Sequence, residues 1–388
     1  MDNSSTFPPT RLASAARRAL LLLGMLLMAS APTGCSEAPR QRKNVKELTA
    51  RERRDYVDAV LKLKSTPSPY DIHLSWYDQF VEFHRQVYYF RPRGQEYQIG
   101  HESPTFLPWH RKFLLMYEQA LREVSGKDIT LPYWDWTDEA STQAVFSEDF
   151  MGLGGVEEQD YAVLRGPFRM DTWTLHVLPK DGTTTYLVRA TLEDRSQLPT
   201  DEDISACLAL HTYDAPPWDK TAGTDVGTDA GTDAGTYSFR NCLEGWSHAG
   251  TSHAHSSDAH LSEDCAPDAS VPDASVPEPR MHNGAHVWVG GMLSKDGKTI
   301  VGSMAAFDTS PNDPAFFLHH ANVDRIWAQW QRSHGISYVP GDGREGWNPP
   351  DSLYPFDKHP DDPRVRKYGN TVGDMLDVRE LGYEYQEP

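Results

Sequence analysis

The sequence predicts a mainly α fold, a four-helix bundle with long irregular loops and little β structure. Two observations carry this expectation. Four segments repeat apolar residues every three or four positions, and three of them follow a clear helix-start signal. The long stretch between the third and fourth holds Trp, Gly and Pro but few clear periods.

The first helix follows a capping box, Thr49 with Glu52, and presents Tyr56, Val57, Val60, Leu61 and Leu63 on its apolar side. The second is expected over about 72–89, with the stripe Trp76, Phe80, His84 and Val87. The third should start at Ser103-Pro104, a cap residue with proline at the first helical position, and run to about 124. Its stripe is Phe106, His110, Phe113 and Tyr117. The fourth starts the same way at Asp313-Pro314 and runs to about 333, with Phe316, His320, Val323, Trp327 and Trp330 on one side.

The chain has 388 residues and a formal net charge of −19. An acidic balance argues against a nucleic-acid partner, which needs a basic face for the phosphates. Residues 1–34 read as an export signal: Arg11, Arg17 and Arg18 precede an apolar run over 19–28, too short to span a bilayer. Ala31-Pro-Thr-Gly-Cys35 resembles a bacterial lipoprotein cleavage site, with Pro32 where Leu or Val is usual. Cys35 would then be the lipidated first residue of the mature protein, facing the periplasm or the cell exterior. The alternative is a plain secretory cut nearby, and Arg17-Arg18 also permits twin-arginine export. A membrane is expected as a partner only through that lipid.

Residues 35–45 read as a tether and 46–388 as one domain. Two low-complexity tracts interrupt it: Gly-Thr-Asp-Ala repeats at about 221–236, and about 247–280, where His248, His253, His255 and His260 precede Val-Pro-Asp-Ala-Ser repeats. Neither can bury apolar area. The histidines there could recruit metal, but incidental residues in a solvated tract are the simpler reading. Cys207, Cys242 and Cys265 are an odd number with no CxxC, so one bridge is possible and its pairing is open.

Each stripe histidine points into the core with the aromatics. His282 and His286 lie four apart on a short helix, and His101 stands nine residues before His110. One such histidine is usually a satisfied core residue. A cluster needs partners, and a metal partners all of them at once. All-imidazole ligation suits copper, zinc or iron. A zinc-peptidase reading of His282-Asn-Gly-Ala-His286 fails, because Asn283 stands where that mechanism needs Glu.

Two segments, His101-Glu-Ser-Pro-Thr-Phe-Leu-Pro-Trp-His110-Arg-Lys-Phe and Ser310-Pro-Asn-Asp-Pro-Ala-Phe-Phe-Leu-His-His320-Ala-Asn-Val-Asp-Arg-Ile-Trp, resemble the two copper signatures of the tyrosinase family. Leu131-Pro-Tyr-Trp-Asp-Trp136, Phe239-Arg-Asn-Cys-Leu-Glu-Gly-Trp246 and Met281-His-Asn-Gly-Ala-His-Val-Trp-Val-Gly-Gly291 add to the match, and the pattern is that of the short bacterial members. The resemblance implies that the bundle holds a binuclear copper site: His84, His101 and His110 on copper A, and His282, His286 and His320 on copper B. His319 points about 100° from its neighbour on a helix, which suits packing beside the site. His73, His176, His211, His334 and His359 lie outside every matched motif.

The implied reaction takes dioxygen as co-substrate, hydroxylates a monophenol ortho to its oxygen and oxidises o-diphenols to o-quinones. Asn283 and Glu244 match the pair that holds a phenol-deprotonating water in tyrosinases, although a long insertion separates Glu244 from His282. Loop closure costs grow slowly with length, so the two can still meet. Phe307 resembles a residue that hangs over copper B in some plant relatives, and Ile99 stands where others carry a Cys bonded to the copper A histidine. The alternatives are a catechol or o-aminophenol oxidase without the hydroxylation step, or a dioxygen carrier. A carrier is disfavoured because the sequence after Gly382-Tyr-Glu-Tyr385 holds no covering domain. Some bacterial relatives are loaded with copper by a helper protein, a possible partner here.

Overall fold

In the computed structural model, residue 1 and residues 38–386 are described, apart from 181, 192–197, 216–237, 246–280, 292–301 and 339–342. The export signal, Cys35, both low-complexity tracts, their histidines and Cys265 therefore lie outside the described residues. The fold below is that of the unit beginning at Arg40.

Helix α1, Ala50–Ser65, starts as the sequence predicts. Thr49 Oγ1 accepts the Glu52 N–H at 3.2 Å, and the Glu52 carboxylate accepts the Thr49 N–H at 2.8 Å. Its face of Tyr56, Val57, Val60 and Leu63 is buried. Helix α2, Trp76–Tyr89, begins four residues later than expected. Residues 66–75 form a tight turn instead, with Trp76 N–H donating to Thr66 O at 2.7 Å, and Ser75 caps the helix. Ile72 is left exposed on that turn.

Helix α3, Phe106–Ser125, starts two residues after Pro104, and Ser103 is not its cap. The segment before it turns inward: the Thr105 hydroxyl donates to Ile99 O at 2.8 Å and Ser103 lies against Thr105. That inward turn brings His101 to the helix face. Gly126 ends the helix at φ 67°, where a side chain would be strained. Between α3 and the next long helix the sequence showed few clear periods, yet three short helices form. They are α4, Glu139–Val145, α5, Asp201–Leu208, and α6, Phe239–Glu244. Asp138 caps α4, and Thr200 with Asp203 makes a capping box on α5, signals present in the sequence but too local to give a period.

Helix α7, Met281–Gly290, carries His282 and His286, and α8, Ala315–His334, is the longest in the second half. Pro314 precedes α8 directly, and the Asp313 carboxylate accepts the Ala315 N–H at 3.0 Å. A five-residue helix, α9, Pro363–Lys367, follows. Helix α3 packs on α1 and α8, and α7 packs on α8 and α6. Helices α2, α3, α7 and α8 therefore surround the histidines, and α1 supports α2 and α3 from behind. Tyr117 stacks on Phe317 at 3.4 Å between centroids, joining α3 to α8, and Phe80 of α2 meets both Phe113 and Phe317 edge-on.

The only sheet among the described residues pairs β1, Arg40–Arg42, with β2, Tyr383–Tyr385, in parallel. Residues 40–45 were expected in the tether, but they belong to the fold. Arg42 is fully buried against Glu118, Asp324 and Tyr385, and Val45 is buried too. A charge patterned like a surface residue is held inside because Glu118 and Asp324 neutralise it and its two Nη groups find acceptors. Cys207 of α5 and Cys242 of α6 form a disulfide, which settles the pairing left open. Among the described residues, no helix is long and apolar enough to cross a membrane.

Candidate metal centre

Three imidazoles meet at one end of α2 and α3. His84 comes from α2, His110 from α3, and His101 from the turn before α3. Their ring centroids are 4.8 Å (His84–His101), 5.0 Å (His101–His110) and 5.7 Å (His84–His110) apart. One ring nitrogen from each lies within 4.8 Å of the others. The Nδ1 of His84 sits 3.1 Å from Asp308 O, and that of His110 2.8 Å from Phe106 O. A carbonyl can only accept, so each Nδ1 carries the proton and each Nε2 keeps its lone pair. Both Nε2 atoms are buried with no partner.

The second group comes from α7 and α8. His286 Nδ1 donates to Met304 O at 2.9 Å, and His282 Nδ1 to Asn283 Oδ1 at 2.9 Å, with Glu244 O at 3.3 Å. Their Nε2 atoms then face each other at 3.1 Å, and His320 Nε2 lies 3.2 Å from that of His282. Lone pairs at that separation repel unless a cation lies among them. The two groups adjoin: the His110 and His320 rings stack at 4.3 Å, with planes 10° apart.

All seven imidazoles of the two groups are buried, and burial drives their pKa values down, to about 4 for His84 and about 3 for His282. At neutral pH they are uncharged and their lone pairs are free. Orphaned Nε2 atoms, tautomers set by carbonyls and two converging imidazole clusters fit two metal ions of the type that imidazole favours.

The six histidines singled out in the sequence are all here. His319 packs directly against the second group. Its ring stacks on His282 at 5.0 Å and stands edge-on to His286 at 4.6 Å, so it forms a fourth imidazole of the second group. The reason lies in tertiary packing: α7 packs on α8, and both His319 and His320 of α8 meet the rings of His282 and His286. Asn283 and Glu244 are both buried beside His282. Glu244 and His282 meet although they stand 38 positions apart in the sequence, as loop entropy allows. Burial pushes the Glu244 carboxyl up to about 7, against the pull of Arg240 and of the Glu102 N–H. Phe307 stands edge-on to His286 at 5.4 Å. Ile99 is buried, and the two described cysteines after residue 38 are bonded to each other. His73, His176 and His211 are exposed, His334 Nε2 donates to Leu208 O at 2.9 Å, and His359 packs on Tyr70 and Phe83. The backbone acceptors at Asp308, Phe106 and Met304 carry no residue-type signal. Arg240, which holds Glu244, stands one helical turn before it, a spacing common to many surface ion pairs and so no signal of a site.

The common central domain of tyrosinase matches residues 74–333, a span that contains every histidine of both groups. The chain belongs to the tyrosinase family. It is 37% identical to a tyrosinase of Streptomyces antibioticus over 306 residues, covering 78% of this chain and 87% of that one. It is 36% identical to grixazone synthase of Streptomyces griseus, covering 76% and 84%. Among solved structures it resembles a polyphenol oxidase from Thermothelomyces thermophila, with a TM-score of 0.54, 22% identity and coverage of 96% and 94%. A functional unit of octopus hemocyanin matches with a TM-score of 0.52 at 21% identity, covering 90% of this chain and 68% of that one. These two likenesses concern the fold. Tyrosinases are binuclear copper enzymes that use dioxygen, and the two buried histidine groups fit two copper ions. The chain is a tyrosinase-like copper oxidoreductase that acts on phenolic substrates.

Proposed function

We propose that this tyrosinase-family enzyme hydroxylates monophenols at the ortho position and carries the o-diphenol on to the o-quinone. Overall, a monophenol and dioxygen give an o-quinone and water. His84, His101 and His110 hold copper A, and His282, His286 and His320 hold copper B. His319 buttresses the second group through its ring. Bound there, the copper pair supplies the dioxygen reduction and oxygen transfer that side chains cannot perform.

The observation that carries the hydroxylating reading is the meeting of Asn283 and Glu244 at His282. Asn283 Oδ1 accepts a hydrogen bond from His282 Nδ1–H, which leaves its amide N–H groups to donate. Glu244 is buried and its carboxyl is poised near neutrality, suited to hold a water that accepts a phenol proton. One observation favours a second reading, a catechol or o-aminophenol oxidase without hydroxylation: Phe307 narrows the space beside His286. The copper-loaded protein, offered a monophenol and a catechol separately, decides between them. Quinone from both supports hydroxylation, and quinone from the catechol alone supports the second reading. No quinone from either, with reversible dioxygen binding, makes the protein a carrier.

The leader at 1–34 and Cys35 support export and lipid anchoring. Palmitate labelling in cells should be abolished by Cys35→Ser, and labelling that persists rules out Cys35 as the anchor.

A further inference from the structure

Glu244 touches both histidine groups through different atoms. Its backbone carbonyl lies 3.3 Å from His282 Nδ1 in the second group. Its carboxylate Oε1 accepts the backbone N–H of Glu102, the residue after His101 of the first group, at 2.7 Å. The other oxygen, Oε2, accepts from Arg240 Nη1 at 2.7 Å. Arg240 in turn grips Asp214 through Nε at 2.8 Å and Nη2 at 3.0 Å, and all three side chains are buried. Helix α6 is therefore fixed to 212–214, by this pair, by Phe239 N–H on Thr212 O, and by Ser238 on Asp214.

His101 needs such support more than its neighbours do. It is not on a helix, and its Nδ1 has no partner, whereas His84, His110 and His286 each rest Nδ1 on a backbone carbonyl. The next residue, Glu102, has φ 46°, a left-handed conformation that costs a non-glycine residue strain. That conformation turns the Glu102 N–H toward the Glu244 carboxylate.

We propose that Glu244, held by Arg240, is a positioning residue that locks the His101 turn and ties the first histidine group to the second. This rests on the reading of His101 and His282 as copper ligands. It also coexists with a water on Glu244, since each carboxylate oxygen has a second lone pair. Removing the carboxylate should then loosen copper A selectively, before any phenol is involved.

The test compares wild type, Glu244→Ala, Glu244→Gln and the double variant Glu244→Ala/Glu102→Gly. Two readouts are independent of turnover: hydrogen exchange of the Glu102 amide in copper-free protein, and release of each copper ion to a chelator. In Glu244→Ala the amide should lose about tenfold or more of its protection. One of the two copper ions should leave roughly 10–100-fold faster while the other keeps its rate. Glycine adopts φ 46° without strain, so Glu102→Gly should recover much of that loss. Should the alanine variant fail to fold, Glu244→Gln carries the test. Its amide oxygen still accepts the Glu102 N–H but brings no charge to Arg240, and it should lie between wild type and the expected alanine behaviour. Unchanged amide protection and unchanged release overturn the proposal. So does equal loosening of both ions, which would mark general damage. If wild type binds fewer than two copper ions, the copper reading fails, while the amide exchange still reports on the lock.

Discussion

Arg111 and Asp324 form a buried ion pair, Nε to Oδ1 at 2.6 Å, directly behind the histidines of α3 and α8. Arg111 follows His110, and Asp324 lies one helical turn after His320. Asp324 also accepts from Tyr383 and Tyr385 of β2, at 2.5 and 2.6 Å, and from Arg42 of β1 at 3.3 Å. Burial alone would raise its carboxyl pKa, but Arg111 and Arg42 outweigh that and hold it below the ordinary range. The Arg111 guanidinium lies 3.5 Å from the Trp327 ring centre. One carboxylate thus joins the two strands to the two helices that present His110 and His320.

Asp324→Asn should therefore be severe. It leaves the buried Arg111 without its counter-charge and Arg42 with Glu118 alone, and removing one partner of a buried pair costs about 3–5 kcal/mol. Urea unfolding of the copper-free protein measures it. A loss below about 1 kcal/mol would mean that Glu118 and the backbone acceptors around Arg111 suffice.

The ligand assignment predicts metal content. His110→Ala and His286→Ala should each purify with one copper ion per chain in place of two, while His319→Ala keeps both. Metal analysis after dialysis reads this directly. Loss of an ion from the His319 variant would make that residue a ligand and displace one of the six.

Acid should act on the copper-free protein through the same histidines. Their folded pKa values lie below the ordinary 6.5, near 4 for His84 and 3 for His282. Unfolded imidazoles therefore bind protons that folded ones refuse, and stability rises with pH across that window. It is fully present above about pH 6.5 and is lost as pH falls toward 4, at about 1.4 kcal/mol per pH unit for each imidazole. Melting temperatures between pH 4 and 8 test the sign, and a flat profile below 6.5 would contradict neutral burial. Bound copper should shift the whole decline to lower pH, because the ions compete with protons for the same lone pairs.

The Cys207–Cys242 bridge closes a loop of 35 residues and holds α6, which carries Arg240 and Glu244. Replacing both cysteines by Ser should destabilise the chain by about 3–4 kcal/mol on the loop-entropy account. Hydrogen exchange should report the loss first in α6. Protection unchanged there would show that Arg240 and Ser238 hold the helix unaided.

Deleting 247–279 should leave the rate of copper loading unchanged, as expected of a solvated tract with incidental histidines. Slower loading by the deletion variant would give that tract a role in metal recruitment.

The sequence by itself determined the long helices and the six histidines, because both are written in local spacing. An apolar stripe at three and four residues forces Phe80, Phe113 and Phe316 inward, and His84, His110 and His320 must follow on the same faces. The copper signatures then set the family. Tertiary structure alone decided the rest. The start of α3 moved because 103–105 fold inward to deliver His101, a demand no capping rule anticipates. His319 joined the second group because α7 packs on α8, and Arg42 left the expected tether because Glu118, Asp324 and Tyr385 converge on it from distant parts of the chain. The carbonyls that set the tautomers of His84, His110 and His286 are backbone atoms, which every residue type supplies. Glu244 reached Glu102, beside His101, and His282 only because α6 is seated on 212–214 next to both groups, and spacing along a sequence cannot encode contacts between such distant residues.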